Sequence, residues 1–242
     1  MSKYGERTYR KRISSDDLVS FHVSVKETDL WVSSDVKLEK EARDLVLNCR
    51  RQLEAYIHSH PGFSTSLLPW PEDPYAPALV KEMIEAARKA GVGPMASVAG
   101  AIAQYVGVGL LSLSEQVIVE NGGDIFLKAN RALTVSILAG SSPFSERIGL
   151  VIPVRQMPLG VCSSSATVGH SMSMGIADAV CIVSTSAALA DGAATALGNR
   201  IKRKSDVSEI ASRAIDVKEI LGGVVIVEDT MATWGDIELV EL

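Results

Sequence analysis

Apolar and polar residues change period several times along the chain, and each change predicts a new element. In LVSFHVSV (18–25), Phe21, Val23 and Val25 alternate with polar neighbours, the period of a half-buried strand. RTYRKRI (7–13) and LWVSS (30–34) read as its sheet neighbours. From Leu38 the spacing lengthens: Leu38, Ala42, Leu45, Cys49, Leu53 and Tyr56 recur every three or four residues, one face of a helix reaching about Ser59. ALVKEMIEAARKA (78–90) repeats that pattern through Leu79, Val80, Met83 and Ile84, and stops at Gly91, a suitable C-cap.

Between these helices lies PGFSTSLLPWPEDPYAP (61–77), too rich in Pro and Ser for a regular element yet carrying Phe63, Leu67 and Trp70. Loops of this length are usually functional or disordered. The apolar residues favour an ordered loop, packed on its own domain or on another copy in a homo-oligomer. SVAGAIAQ (97–104) opens a helix of small residues within 91–111. EQVIVENGGDIFLK (115–128) reads as strand, Asn-Gly turn, strand, and ALTVSILAG and RIGLVIPV as further strands. A Gly/Ser/Thr-rich loop is expected at 160–175, then a strand at DAVCIVST and an Ala-rich helix at 186–201. A helix near 206–221 and two strands, GVVIVED and DIELVEL, close the chain. Short turns join several strand pairs, so the expectation is an α+β fold with a mainly antiparallel sheet, one domain over 1–242.

A formal charge of −5 argues against general affinity for nucleic acid or acidic membranes, and the basic clusters at 9–12 and 199–204 read as solvated element ends. The first fifteen residues lack the apolar segment of a secretory signal, and no apolar run is long enough to span a bilayer. Three widely spaced cysteines, Cys49, Cys162 and Cys181, do not suggest a disulfide framework. Cytoplasmic residence is therefore expected.

Several segments carry candidate chemistry. His58-Ser59-His60-Pro61 resembles the zinc motif of JAMM proteases, but the later serine and aspartate of that motif fall on Leu68 and Pro71, so the site is incomplete. Asp191 and Thr195, four apart on the Ala-rich helix, put a carboxylate and a hydroxyl on one face, hard oxygen donors suited to Mg²⁺ holding a phosphate. A carboxylate favoured by the helix dipole explains Asp191 equally simply. In Asn121-Gly122-Gly123-Asp124 the glycines suit a tight hairpin, or backbone brought close to a ligand. The start of the 97–104 helix offers free N–H groups to an anion or packs closely through its small residues. Ser163, Ser164, Ser165 and Thr167 precede His170, an imidazole that either contacts phosphate and acts as a base or bonds a loop carbonyl.

In order along the chain, these pieces resemble the ApbE-like superfamily. VAGAIAQYV looks like its Gly-x-Ile-Ala-Lys-Gly-Tyr segment, VIVENGGDIFL its strand–Asn-x-Gly-Gly-Asp–strand, GVCSSSATVG its Thr-Ser-Gly loop, and DAVCIVSTSAALADGAATALGN its Ala-Asp-Ala-x-x-Thr-Ala metal motif. The resemblance covers about 91–200. It implies FAD:protein FMN transferase chemistry with FAD or FMN and Mg²⁺, Asp191 and Thr195 as metal ligands and His170 as the catalytic group. Ser97, Gly100, Gln104, Asn121, Gly122, Gly123, Asp124, Ser163, Ser164, Ser165 and Thr167 become its cofactor-binding set. Two departures stand out: Gln104 replaces the usual lysine, and no Asp-Pro follows His170. Pro61, Phe63, Ser66, Leu67 and Pro69, with Gly93-Pro94-Met95-Ala96, resemble a short cytoplasmic branch associated with assimilation of sulfide into homocysteine. That association implies, as an alternative, a non-flavinylating accessory with a protein partner in sulfur metabolism.

Overall fold

The computed structural model describes residues 17–167, 174–212 and 217–242. In chain order the strands are β1 (Val19–Val25), β2 (Thr28–Ser34), β3 (Val117–Asn121), β4 (Asp124–Lys128), β5 (Leu133–Ser136), β6 (Ile148–Ile152), β7 (Leu159–Ser164), β8 (Ala179–Ser184), β9 (Ile220–Val227), β10 (Thr230–Gly235) and β11 (Glu238–Glu241). The helices are α1 (Glu39–Ser59), α2 (Ala78–Ala90), α3 (Val98–Leu110), α4 (Ala187–Arg200) and α5 (Asp206–Ser212). Eight strands form one sheet, ordered β1-β2-β3-β4-β7-β8-β9-β10, and β11-β6-β5 form a second. Every pairing is antiparallel, as expected for an α+β fold.

The central strands of the large sheet are buried on both faces. Val32, Val119, Phe126, Cys162, Ile182 and Val225 face the helices, whereas Ile118, Leu127, Leu159, Val161, Val183 and Val224 face the small sheet. Successive strand residues point to opposite faces, so two-sided burial turns its central strands into unbroken apolar runs such as VCIV. Among the described residues no single helix is long and apolar enough to cross a membrane.

Three expectations need correction. The hydroxyl-rich stretch does not begin as a loop, because Gly160–Ser164 lies within β7 between β4 and β8. Its small residues make room for α4: a Cβ on Gly160 would lie 2.3 Å from the Ala187 Cα. The last helix does not reach 221, since β9 begins at Ile220. A strand not anticipated, β10, pairs with β9, while β11 leaves that sheet to pair with β6. The 7–13 strand and the 9–12 basic cluster lie outside the described residues. In the other cluster, Arg203 pairs with Asp206 and Lys204 with Glu228 and Asp229.

The 61–77 loop is ordered around an aromatic column. Tyr56 stacks on His60 at 4.2 Å between ring centroids, Phe63 meets Tyr56 edge-on at 5.0 Å, and Trp70 meets Phe63 at 5.5 Å. His60 thus serves packing. Leu67 and Leu68 point outward, but their turn rests on the segment before α3, where a Cβ on Gly93 would lie 1.8 Å from the Ser66 carbonyl oxygen. The two stretches that resemble the short branch are therefore one packing unit.

Gly160→Ala should lower stability by about 1–3 kcal/mol, since the added methyl meets backbone rather than a movable side chain. The urea midpoint of the variant, with an unchanged slope, is the measurement.

Candidate functional site

Small residues bring α3, α4, β4 and β7 together. Ser186 caps α4, its hydroxyl accepting from the Leu189 N–H at 3.2 Å. One turn later stands Asp191, half-buried. The start of α3 has no side-chain cap of its own, because the Ser97 hydroxyl donates instead to the Pro94 carbonyl at 2.8 Å. Asp191 supplies the missing acceptor: the Gly100 N–H donates to its Oδ2 at 2.9 Å. A Cβ on Gly100 would sit 2.2 Å from the Ala187 carbonyl oxygen and 2.9 Å from the Asp191 Cβ, so this approach requires glycine.

The β3–β4 hairpin closes the site from the sheet side. Asn121 and Asp124 pair across a two-residue turn in which Gly122 has φ 68° and Gly123 φ 110°, values that strain other residues. No atom lies within 4 Å of the Cβ positions of these glycines, so the turn faces open space. The Asn121 amide donates to the Ala99 carbonyl at 3.0 Å, joining the hairpin to the first turn of α3. Gly123 N–H donates to Glu120 Oε1 at 2.9 Å.

Asp124 projects inward beside Cys162 and Asp191. It is buried, and its Oδ1 has no hydrogen-bond partner. Burial pushes its carboxyl up to about 7; the neighbouring Glu120 adds to the rise, and the Cys162 thiol and Ser163 N–H oppose it. Burial, then the Asp124 charge, holds Asp191 well above the usual carboxylate range against the Gly100 and Ala99 N–H groups. Among the described residues neither carboxylate is paired with a lysine or arginine. Cys162 donates to the Ala187 carbonyl at 3.3 Å, and burial beside the two aspartates raises its thiol far above its ordinary value, so it stays protonated.

Gly100, Asn121, Asp124 and Asp191 thus converge, with Gly122 and Gly123 at the rim. Thr195 lies one turn beyond Asp191, half-buried. Ser163 is exposed and Ser164 buried on β7. Ser165 and Thr167 lie farther along, where the Thr167 N–H donates to Ser165 Oγ at 3.0 Å and the Thr167 hydroxyl to Asp178 Oδ1 at 3.3 Å. His170 lies outside the described residues. Ser97 is fully buried. Gln104 is engaged on both sides: its Oε1 accepts from the Ala187 N–H at 2.6 Å, and its Nε2 donates to Glu82. Sequence reading missed Glu120 as a buried acid and Glu82 as a half-buried one. Alternation along β3 would have put Glu120 opposite Val119, on a face that only the small sheet buries.

Among the described residues no three His, Cys, Asp or Glu side chains form a metal cage. The unpartnered Asp124 oxygen, the two adjacent carboxylates and the Thr195 hydroxyl nevertheless fit a hard divalent cation that takes its remaining ligands from water and a bound phosphate.

The family described as AbpE bacteria matches residues 10–233. The chain belongs to that family, an ApbE-like branch. It is 41% identical to a UPF0280 protein of Methanocella arvoryzae over 212 residues, covering 87% of this chain and 86% of the relative. It is 39% identical to a UPF0280 protein of Methanocaldococcus jannaschii over 226 residues, covering 90% and 92%. Among solved structures, the ApbE protein of Thermotoga maritima superposes with a TM-score of 0.56 at 11% identity, over 90% of this chain and 97% of that one. The apo flavinyl transferase ApbE of Pseudomonas stutzeri gives 0.52 at 12%, over 90% and 94%. At these identities the likeness is one of fold.

Burial also pushes Glu82 up to about 7, Glu85 reinforcing the rise and the Gln104 amide opposing it. A folded-state value above the ordinary 4.5 means that the native protein holds this proton more tightly than the unfolded chain. Its contribution is therefore fully present below pH 4.5 and is lost as pH rises toward 7. Glu82→Gln should flatten that loss and raise the melting temperature at pH 8, as read by thermal unfolding across the window.

Proposed function

We propose that this ApbE-like protein binds a flavin nucleotide through its diphosphate, with Mg²⁺ between the phosphate and Asp191 and Thr195. The observation that carries the reading is the buried Asp124 Oδ1, unpartnered and next to Asp191 without a balancing lysine or arginine among the described residues. A cation would relieve that repulsion, and membership of an ApbE-like family supports a flavin as the ligand. When bound, Mg²⁺ polarises a phosphoryl oxygen.

The chain's own groups supply the frame. Gly100 N–H orients Asp191, and Asn121 fixes the first turn of α3 through Ala99. Gly122 and Gly123 leave room for a ligand. FAD processing, by hydrolysis or by FMN transfer, is the reaction class this arrangement serves. A sulfur-carrying role fits less well: all three cysteines are buried, and burial holds the Cys49 and Cys181 thiols at about 11.

Isothermal titration with FAD, ADP and FMN, with and without Mg²⁺, tests the proposal. FAD and ADP should bind in a Mg²⁺-dependent way, FMN more weakly, and Asp191→Ala should weaken FAD by at least about tenfold, 1.4 kcal/mol. Failure of all three ligands to bind at millimolar concentration would overturn it.

A further inference from the structure

We infer that Gln104 is a positioning residue for the acidic site, setting Asp191 through the first turn of α4 while Glu82 orients its amide. Ala187 is the point of control. Its N–H donates to Gln104 Oε1 at 2.6 Å, its carbonyl accepts from the Cys162 thiol at 3.3 Å, and Gly100 and Gly160 press against it where side chains are absent. Ala187 lies one helical turn before Asp191, so where it is held decides where Asp191 meets Gly100.

The amide orientation follows from its partners. A backbone N–H requires the oxygen and a carboxylate requires the NH₂, so Gln104 has one productive setting. One side chain thereby ties α2, α3 and α4 together. Lysine at 104 would satisfy Glu82 but offer Ala187 a second donor, and leucine would satisfy neither. Glutamate at 104 facing glutamine at 82 would restore both bonds with the roles of one pair exchanged. Gln104 borders a surface groove with Leu45, Glu82, Tyr105, Val108 and Gly109, so substitution there does not open the core.

The test compares the full-length wild type with Gln104→Leu, Gln104→Lys and the pair Gln104→Glu with Glu82→Gln. Backbone hydrogen exchange is followed without metal, and Mn²⁺ affinity is then measured; only this second arm rests on the metal reading above. In the two single variants the Gly100 amide should exchange at least about tenfold faster while amides of β8 hold their rates, because Asp191 no longer holds its acceptor in place. Mn²⁺ affinity should fall by about tenfold, and the double variant should restore both readouts. Acceleration at Ala187 alone, with Gly100 unchanged, would overturn the inference by making Gln104 a local cap. If the wild type binds no Mn²⁺, the metal reading fails, while the Gly100 exchange still decides the positioning role.

Discussion

The close approach of α4 to its neighbours is the constraint on which the site depends. A Cβ on Gly100 would fall 2.2 Å from the Ala187 carbonyl oxygen, and one on Gly160 2.3 Å from the Ala187 Cα. Where two backbones come so near, van der Waals repulsion forbids any side chain, so glycine at both positions fixes how deeply the helix sits. That depth lets a short aspartate reach the first turn of α3 without a long, flexible side chain. The Ala-rich composition of α4 is thus a packing requirement before it is anything chemical.

Such proximity has an electrostatic cost. Asp191 and Asp124 project into one interior space, and each is raised chiefly by burial and then by acidic neighbours. The peptide N–H groups at the start of α3 offset part of this, as helix N-termini do for anions. They leave one Asp124 oxygen unpartnered. Interior carboxylates of this kind are stable when protonated or when a cation shares the space. The pair is therefore a cost to fold stability, and it sits where the hairpin turn leaves open room.

Much of this was legible in the chain. Period-2 and period-3.6 patterns marked β1, β2, α1 and α2, because burial on one face forces those spacings whatever the partner. Asn-Gly-Gly-Asp announced a two-residue hairpin, since only residues tolerant of positive φ can form it. The spacing of Asp191 and Thr195 required a shared helix face once the helix existed. These are local consequences of backbone geometry, and sequence carries them in full.

Other features are decided between segments. Gly160–Ser164 is a central strand because α4 covers it, although its composition suits a loop. Glu120 is buried because a second sheet lies over a face that alternation alone leaves to solvent. Ser97, placed to cap α3, turns its hydroxyl to Pro94, and the cap comes instead from Asp191, ninety-one residues beyond the Gly100 N–H it accepts from. Gln104, read as a ligand contact, is held between Glu82 and Ala187. The sequence by itself determined the elements, their faces and the residue types that can hold a cation or phosphate. Only the tertiary structure decided which of those groups meet, because burial and hydrogen-bond partnership depend on elements far away in the chain.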